Sequence, residues 1–321
     1  MFHDRLTRRQ AMKLGAAAAW PLVAASSTSA SQDAKHEANL TIGIATNRFI
    51  NHSNRQLAEE LARAGIQVVQ LFLSQSDSRY WKYNGRSDVS DLTAARCEAI
   101  AKSYRTAGVS IHSVGVYTNL IHPDKAERQQ NLAYFESMMK IARHMDVDTL
   151  ITEAGHYQSE GPPARVEYHF QEEVWNTMVA TGKQLAELAE KYGAVVLMEP
   201  FFRGFLASAK RTRLFLEEVN SPRIRALLDP ANLLEVNDLE EMFQQLKPWI
   251  GCLHAKDRKL HVDRGVAAGK GDLDYPKFVT LAAKHTPHAP LILEYVGPQD
   301  YQQALEHLRN AMRQAGLVGL Q

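Results

Sequence analysis

The chain has 321 residues, of which 45% are hydrophobic, and its formal net charge is +1. This length allows one large α/β domain or two small ones, and the near-neutral charge gives no support for nucleic acid or a membrane surface as a partner. Cys97 and Cys252 belong to no CxxC or Cys/His cluster, which argues against a structural zinc site. They could pair in an oxidising compartment, although the predicted elements place one on an outer helix and one on a strand.

The first thirty residues are organised like an export signal. Arg8 and Arg9 precede a weakly apolar, alanine-rich run over residues 14–25, which ends in small residues at 26–30. This pattern predicts a signal peptide over residues 1–30, recognised by the twin-arginine translocase, and a periplasmic or otherwise exported protein. The run is too short for stable membrane insertion. Residues 31–38 are predicted to be a linker; the alternative is an N-terminal extension with a chance Arg–Arg pair.

From residue 39 onward, a short β-branched run followed by a segment of helical period occurs eight times. The predicted strands cover residues 40–45, 68–73, 109–116, 148–153, 194–199, 224–229, 250–254 and 291–294. The predicted helices cover residues 54–64, 91–107, 124–144, 172–192, 212–219, 238–246, 275–285 and 301–315. Gly65, Gly108 and Gly193 directly follow three of these segments and are typical of helix ends.

Eight strand–helix units in a chain of this length predict a closed (β/α)₈ TIM barrel, which would occupy residues 39–321 as a single catalytic domain. An open, doubly wound sheet is the alternative, but no glycine-rich dinucleotide or phosphate-binding motif follows any predicted strand. The longer loops follow strands two, four and seven. In a barrel they would all lie at the C-terminal mouth, where barrel enzymes carry their catalytic groups.

The last four predicted strands each end in a residue that can bind a metal ion: Glu199, Asp229, His254 and Glu294. Each follows an apolar stretch, so each polar group lies where a buried strand meets the mouth. Three carboxylates there would repel one another unless a cation holds them. One such residue alone is better explained by an ordinary ion pair, but four on consecutive strands predict one divalent ion. Mn²⁺ is the first choice, and Mg²⁺, Co²⁺ or Zn²⁺ would also suit these ligands.

Short motifs surround these four residues, namely Glu199-Pro200, Leu228-Asp229-Pro230-Ala231-Asn232, His254-Ala255-Lys256-Asp257 and Leu293-Glu294-Tyr295. In this order and spacing, over about residues 39–316, they resemble the xylose isomerase-like superfamily of sugar isomerases and epimerases. Hydroxypyruvate isomerase, the ketose 3-epimerases and inosose dehydratase belong to it. The resemblance implies that the four residues bind one divalent ion, and that Glu199 and Glu294 exchange a proton with a keto-sugar through an enediolate.

The ligand set does not separate isomerisation or epimerisation from elimination. If a β-hydroxyl or β-alkoxyl group leaves, the enzyme is a lyase or dehydratase acting on a 3-keto-sugar or keto-glycoside. Export favours a free sugar over a sugar phosphate, because phosphorylated sugars are scarce outside the cytoplasm. A non-catalytic sugar-binding barrel is a remote alternative. Barrels of this superfamily often form homo-oligomers, but the sequence shows no diagnostic patch for self-association.

Six further polar residues near the predicted strand ends are candidate substrate contacts, namely Glu153, His156, Arg203, Asn232, Lys256 and Asp257. Asn232 stands where many relatives carry a second histidine, and the H-x-K-D pattern at 254–257 resembles inosose dehydratase and the sugar-phosphate 3-epimerases more than hydroxypyruvate isomerase. For Lys256 and Asp257, a structural ion pair within the loop is the alternative, and for Arg203 a plain surface charge. The segment at 269–272 could bind a phosphate, but it is more typical of a tight turn.

The same superfamily includes endonuclease IV, a DNA-repair enzyme with three zinc ions. Two segments, at 117–120 and 262–264, are similar to that branch. The additional zinc sites need histidines where this chain has Ser113, Asn232 and Gly265, so a trinuclear site is not expected. The chain also lacks the basic stripe of a DNA-binding protein, and nucleic acid is not expected as a partner.

Overall fold

Eight parallel strands close into a barrel in the computed structural model, which describes residues 40–157, 166–262 and 265–317. Eight α-helices in these ranges alternate with the barrel strands, so the predicted (β/α)₈ architecture is confirmed. The predicted signal peptide and linker lie outside the described residues and stay a prediction.

The barrel strands follow one another around the barrel in chain order. The strands are β1 (Ile42–Ala45), β2 (Val68–Leu71), β3 (Ser110–Gly115), β4 (Thr149–Thr152), β5 (Val195–Met198), β6 (Ile224–Leu228), β7 (Ile250–Asp257), β8 (Val266–Ala267) and β9 (Leu291–Leu293). Strand β9 pairs with both β7 and β1 and thereby closes the barrel, whereas β8 forms only a short antiparallel pair with β7. The C-terminal ends of β5, β6, β7 and β9 are therefore neighbours.

The helices lie between successive barrel strands and bury their apolar faces. They are α1 (Asn54–Arg63), α2 (Ala94–Thr106), α3 (Lys125–His144), α4 (Glu172–Tyr192), α5 (Ala209–Val219), α6 (Leu239–Leu246), α7 (Tyr275–His285) and α8 (Tyr301–Gln314). The predicted stops at Gly65, Gly108 and Gly193 are confirmed by positive φ angles of 74°, 75° and 68°. Among the described helices, none is both long and apolar enough to cross a membrane.

Some element boundaries differ from the prediction, and two of the differences have clear local reasons. Helix α5 begins earlier than predicted, at Ala209, because the Ser208 side chain caps it by accepting a hydrogen bond from the Arg211 N–H. Strand β7 extends beyond residue 254 to Asp257 because Lys256 and Asp257 pair with β8. This extension carries the two residues after His254 along a strand rather than into a loop.

The barrel interior has its own apolar cluster, separate from the larger core beneath the helices. Its buried members are Ala45, Phe72, Tyr117, Ile151, Leu197, Leu227, Cys252 and Ile292. Phe72 and Tyr117 stack with ring centroids 5.7 Å apart, and a Cβ at Gly115 would lie 2.7 Å from the Phe72 ring. Both cysteines are buried and free: Cys97 lies on α2 in the outer core, whereas Cys252 lies in the barrel interior.

Candidate metal centre

The four predicted ligands converge at the C-terminal mouth of the barrel. Glu199, Asp229 and Glu294 directly follow β5, β6 and β9, and His254 lies on β7. All four side chains are buried, and one potential ligand atom from each lies within 4.8 Å of the others. Adjacent parallel strands bring their C-terminal ends together, which is why residues far apart in the chain meet here.

His254 presents one ring nitrogen to the carboxylates. Its Nδ1 lies 3.4 Å from Glu199 Oε1 and 3.5 Å from Glu294 Oε2. On the other side of the ring, Nε2 is 2.7 Å from the side-chain oxygen of Gln70, a buried residue of β2. Because this carbonyl oxygen only accepts, Nε2 carries a proton and donates it, which leaves Nδ1 as the nitrogen that can bind an ion.

In the ion-free protein, a proton can occupy the position that an ion would take. Burial disfavours the imidazolium form of His254, but the carboxylates of Glu294 and Glu199 outweigh burial and raise its pKa to about 9. Ion binding at Nδ1 therefore competes with a proton near neutral pH.

Asp229 shows most clearly that these residues fit a divalent cation. Its side chain is 0% exposed, and Oδ1 has no hydrogen-bond partner within the described structure. A buried carboxylate oxygen without a partner is costly, and three carboxylates with one imidazole are suitable donors for a divalent ion. The unpartnered Oδ1 of Asp229 and Nδ1 of His254 are therefore consistent with ligands of the same ion.

Glu199 is held by neutral donors on both oxygens. Tyr117 donates its hydroxyl hydrogen to Oε2 at 2.8 Å, and the Asn232 amide donates to Oε1 at 2.9 Å. Burial alone would raise the pKa of Glu199, but His254, Lys256 and Tyr117 lower it to about 2. Glu199 is therefore a fixed, ionised group.

Lys256 and Asn232, both predicted substrate contacts, lie inside this group of residues. Lys256 Nζ is 2.5 Å from Asp229 Oδ2 and 3.0 Å from Glu294 Oε2, and it donates to Asn232 Oδ1 at 3.0 Å. The Asn232 amide is thus engaged at both ends, by Glu199 and by Lys256. A continuous polar network joins the two glutamates through these two residues.

Glu153 lies beside the centre, at the end of β4. The pairing of Thr152 with Met198 makes Glu153 and Glu199 neighbours across adjacent strands. The Tyr83 hydroxyl donates to Glu153 Oε2 at 2.7 Å. Burial and, after it, the carboxylate of Glu199 raise the pKa of Glu153 to about 8 in the ion-free protein, which favours the protonated carboxyl group at neutral pH.

Two other predicted substrate contacts, His156 and Arg203, lie outside the ligand group. His156 is partly buried and stacks on His169, with ring centroids 6.4 Å apart. Arg203 is exposed in the turn after β5. The buried guanidinium nearby belongs to Arg258, which lies 5.0 Å over the Phe202 ring and donates to the Ala231 carbonyl oxygen. Substrate contacts by His156 and Arg203 stay predictions.

Asp257 organises the loop that follows β8. Its Oδ1 accepts the backbone N–H groups of Arg258 and Leu273, at 2.8 and 3.0 Å, and its Oδ2 accepts that of Gly269 at 3.1 Å. The segment at 269–272 forms the predicted tight turn, in which Gly269 has a φ of +83°. Because the Asp257 carboxylate already accepts hydrogen bonds from these backbone N–H groups, the turn is poorly suited to bind a phosphate.

An aromatic wall borders the centre on the side of β2 and β3. Its members are Phe72, Trp81, Tyr83 and Tyr117. Tyr83 is 51% exposed, whereas Phe72 and Tyr117 are buried. Neither this wall nor the site residues Gln70 and Tyr117 were predicted from the sequence. Gln70 was visible only as a lone polar residue in an apolar strand, and Tyr117 only as the residue after strand three.

The chain matches the family model described as "Xylose isomerase-like TIM barrel" over residues 58–311. It belongs to the xylose isomerase-like TIM barrel family. The resemblance drawn from the strand-end motifs is therefore confirmed at the level of the family. No curated protein matches the chain by sequence.

Solved structures with the same fold include both epimerases and a dehydratase. A D-psicose 3-epimerase, solved in the presence of D-fructose, is 16% identical and has a TM-score of 0.64. The match covers 87% of this chain and 100% of that chain. The probable 3-DHS dehydratase AsbF from Bacillus anthracis is 16% identical, with a TM-score of 0.67 and coverages of 85% and 99%. An IOLI protein with a bound zinc atom is 14% identical, with a TM-score of 0.65 and coverages of 88% and 100%. At these identities the likeness shows the fold alone.

Gln70 offers a direct test of how this family member orients its histidine. Replacing Gln70 by Leu removes the acceptor for His254 Nε2, so we expect divalent-ion affinity to fall about 10- to 100-fold. Isothermal titration of ion-stripped protein with Mn²⁺ measures the change. Gln184→Leu, at an exposed position of α4, is the matched control and should bind like the wild type. Unchanged affinity in Gln70→Leu would contradict the assigned role.

Proposed function

We propose that the protein is a divalent-metal-dependent isomerase or epimerase of a keto-sugar, with Mn²⁺ as the preferred ion and Glu199 and Glu294 as the acid–base pair. The observation that carries the proposal is the convergence of three buried carboxylates and one imidazole, with Asp229 Oδ1 and His254 Nδ1 left unpartnered. Membership of the family and the fold shared with a D-psicose 3-epimerase support it.

When bound, the ion would supply Lewis-acid stabilisation of the negative charge that develops on the substrate oxygens. Glu294, 7% exposed, is the most accessible of the four ligands, and we assign to it the removal of the proton next to the carbonyl. Glu199, held by Tyr117 and Asn232 and ionised in the ion-free protein, would first take up a proton from water and then return it to the opposite face or to the neighbouring carbon. The two glutamates differ in their hydrogen bonds, which supports different roles.

The surroundings of the centre suit an uncharged sugar. The aromatic wall offers apolar faces on which the C–H groups of a sugar ring or chain can pack, and Tyr83 brings a hydroxyl group to the mouth. The tight turn at 269–272, closed by Asp257, gives no support for a sugar phosphate. Together with the Arg8–Arg9 motif, these features lead us to propose an exported enzyme acting on a free keto-sugar.

Proton exchange in D₂O tests the proposed function. We expect the Mn²⁺-loaded protein to place deuterium on the carbon next to the carbonyl of a free ketose and to form an isomer or epimer without loss of an oxygen substituent. A panel of ketoses with each configuration at C3, followed by NMR, provides the measurement. Absence of both exchange and interconversion across the panel would reject isomerisation and epimerisation of free ketoses.

A second candidate function, β-elimination from a 3-keto-sugar or keto-glycoside, is favoured by Glu153. A protonated carboxyl group at the mouth could donate its proton to a departing hydroxyl or alkoxyl oxygen as the C–O bond breaks. Glu294 would take the proton from the α-carbon, and the electron pair of that C–H bond would form the new C=C bond. The fold shared with a probable dehydratase is compatible with this alternative.

Glu153→Gln separates the two candidate functions. If elimination is the reaction, we expect this variant to lose elimination about 10²-fold or more while it still exchanges the α-proton, because only the acid is missing. Elimination by the wild type should fall as pH rises through about 8, where Glu153 loses its proton.

Tyr83→Phe is the matched control for Glu153→Gln. It keeps the carboxyl group but removes a hydrogen bond that lowers the pKa of Glu153. The fall in elimination rate should therefore move to higher pH in this variant. If Glu153→Gln eliminates as fast as the wild type, Glu153 is not the acid.

A further inference from the structure

The ammonium group of Lys256 is enclosed by the proposed ligands themselves. Asp229 Oδ2 and Glu294 Oε2 lie 2.5 and 3.0 Å from Nζ, and Asn232 Oδ1 accepts a hydrogen bond from it at 3.0 Å. The ring of Tyr295 covers the same group at 4.6 Å. The ammonium therefore has one hydrogen bond and two close carboxylate ion pairs, and the side chain is buried.

This arrangement puts a positive charge beside the ion site and lets it share two of the ligands. Asp229 gives Oδ2 to Lys256, while its Oδ1 has no hydrogen-bond partner. With His254 neutral, three carboxylates are balanced by one ammonium and one divalent ion. Without Lys256 the filled site would keep a net negative charge in a buried position, which is unfavourable.

We propose that Lys256 is a positioning residue that serves as a built-in counter-charge to the metal centre. It holds Asp229 and Glu294 in place before the ion binds, and it limits how tightly the ion is held. The inference rests on the proposed metal site. Its physical basis is that like charges repel across a buried site, so the ammonium that stabilises the empty ligand group also opposes the incoming cation.

A purely structural role for Lys256 predicts the opposite change in ion affinity. If Lys256 only ordered the two carboxylates, its removal would disorder two ligands and weaken ion binding. If it acts as a counter-charge, its removal takes a positive charge away from the ion and leaves the three carboxylates with less positive charge beside them, so ion binding tightens. The direction of the change in affinity therefore separates the two roles.

Titration of ion-stripped proteins with Mn²⁺ tests the inference. We expect Lys256→Met, which keeps most of the length of the side chain but not its charge, to bind Mn²⁺ at least about tenfold more tightly than the wild type. Its ion-free form should unfold at a lower temperature than ion-free wild type, and Mn²⁺ should raise its unfolding temperature more. Lys256→Arg keeps the charge and should bind Mn²⁺ within about threefold of the wild type.

Equal or weaker Mn²⁺ binding by Lys256→Met would overturn the inference, as would a Lys256→Arg variant that binds as tightly as Lys256→Met. If the ion-free Met variant does not fold, Lys256→Gln, which removes the charge but keeps a polar side chain, is titrated instead, and tighter Mn²⁺ binding is again the expected result. A wild-type protein that binds no Mn²⁺, or binds it equally well after Asp229→Asn, would reject the metal centre itself, and this inference with it. If the wild type binds Mn²⁺ tightly and Asp229→Asn abolishes this binding, the metal centre stands and only the role of Lys256 is tested by the Lys256 variants.

Discussion

Replacing Glu294 by Gln is expected to lower keto-sugar turnover by about 10³-fold while the barrel stays folded. Glutamine has nearly the same shape and keeps one oxygen that can contact an ion, but it cannot accept the proton from the substrate carbon. Turnover is measured under saturating Mn²⁺ so that weaker ion binding does not account for the loss, and bound metal is determined in the same samples. Circular dichroism checks the fold.

The corresponding change at Glu199 sharpens the assignment of the two glutamates. For an epimerase, Glu199→Gln should still exchange deuterium into the epimer whose proton faces Glu294, but without converting it, because the group on the opposite face is missing. Glu98→Gln, at a position of α2 that is 53% exposed, is the matched control and should turn over like the wild type. Turnover within about threefold of wild type in both site variants would reject the acid–base pair.

Removal of the divalent ion is the second change for which we expect a large effect. Chelation should abolish turnover, and added Mn²⁺ should restore it at one ion per chain. Because the ion binds only the folded protein, an ion concentration about 100 times the dissociation constant adds about 2.7 kcal/mol to the free energy of unfolding. For a barrel of this size the unfolding temperature should then rise by about 4 to 5 °C, as measured by calorimetry.

The pH dependence of ion binding follows from His254. Its pKa of about 9 in the ion-free protein means that a proton occupies the ring at neutral pH and must leave when the ion binds. Affinity for Mn²⁺ should therefore increase as pH rises towards 9, and the heat of binding should depend on the ionisation enthalpy of the buffer. Asp229→Asn serves as the control, since it should abolish both the binding and the shift in unfolding temperature. If Mn²⁺ raised the unfolding temperature of Asp229→Asn as much as that of the wild type, the proposed metal site would be rejected.

The number and order of the elements were predictable from the sequence because they rest on local patterns. Each barrel strand is a short apolar run, each helix has an amphipathic period, and Gly65, Gly108 and Gly193 end helices through their own backbone conformation. The four ligands were predictable for the same reason. Each stands at or near the end of its own strand, and the closed parallel barrel brings all such ends to one mouth.

The partners of those ligands were decided only by the tertiary structure. His254 and Gln70 are 184 positions apart in the chain, and Glu199 and Tyr117 are 82 positions apart, so no local pattern links them. Likewise, the sequence placed Lys256 near the mouth, but only the extension of β7 through its pairing with β8 shows how the ammonium reaches two carboxylates.

The sequence by itself therefore determined the barrel, the positions of the strand ends and the chemical types of the four ligands. These properties depend on the hydrophobic period of each segment and on which residue follows each strand. The tertiary structure alone decided which nitrogen of His254 faces the centre, which donors hold Glu199, and that Asp257 binds backbone amides. The physical reason is that side-chain hydrogen bonds depend on distances of about 3 Å between atoms on different strands, and these distances are set by strand register and loop path.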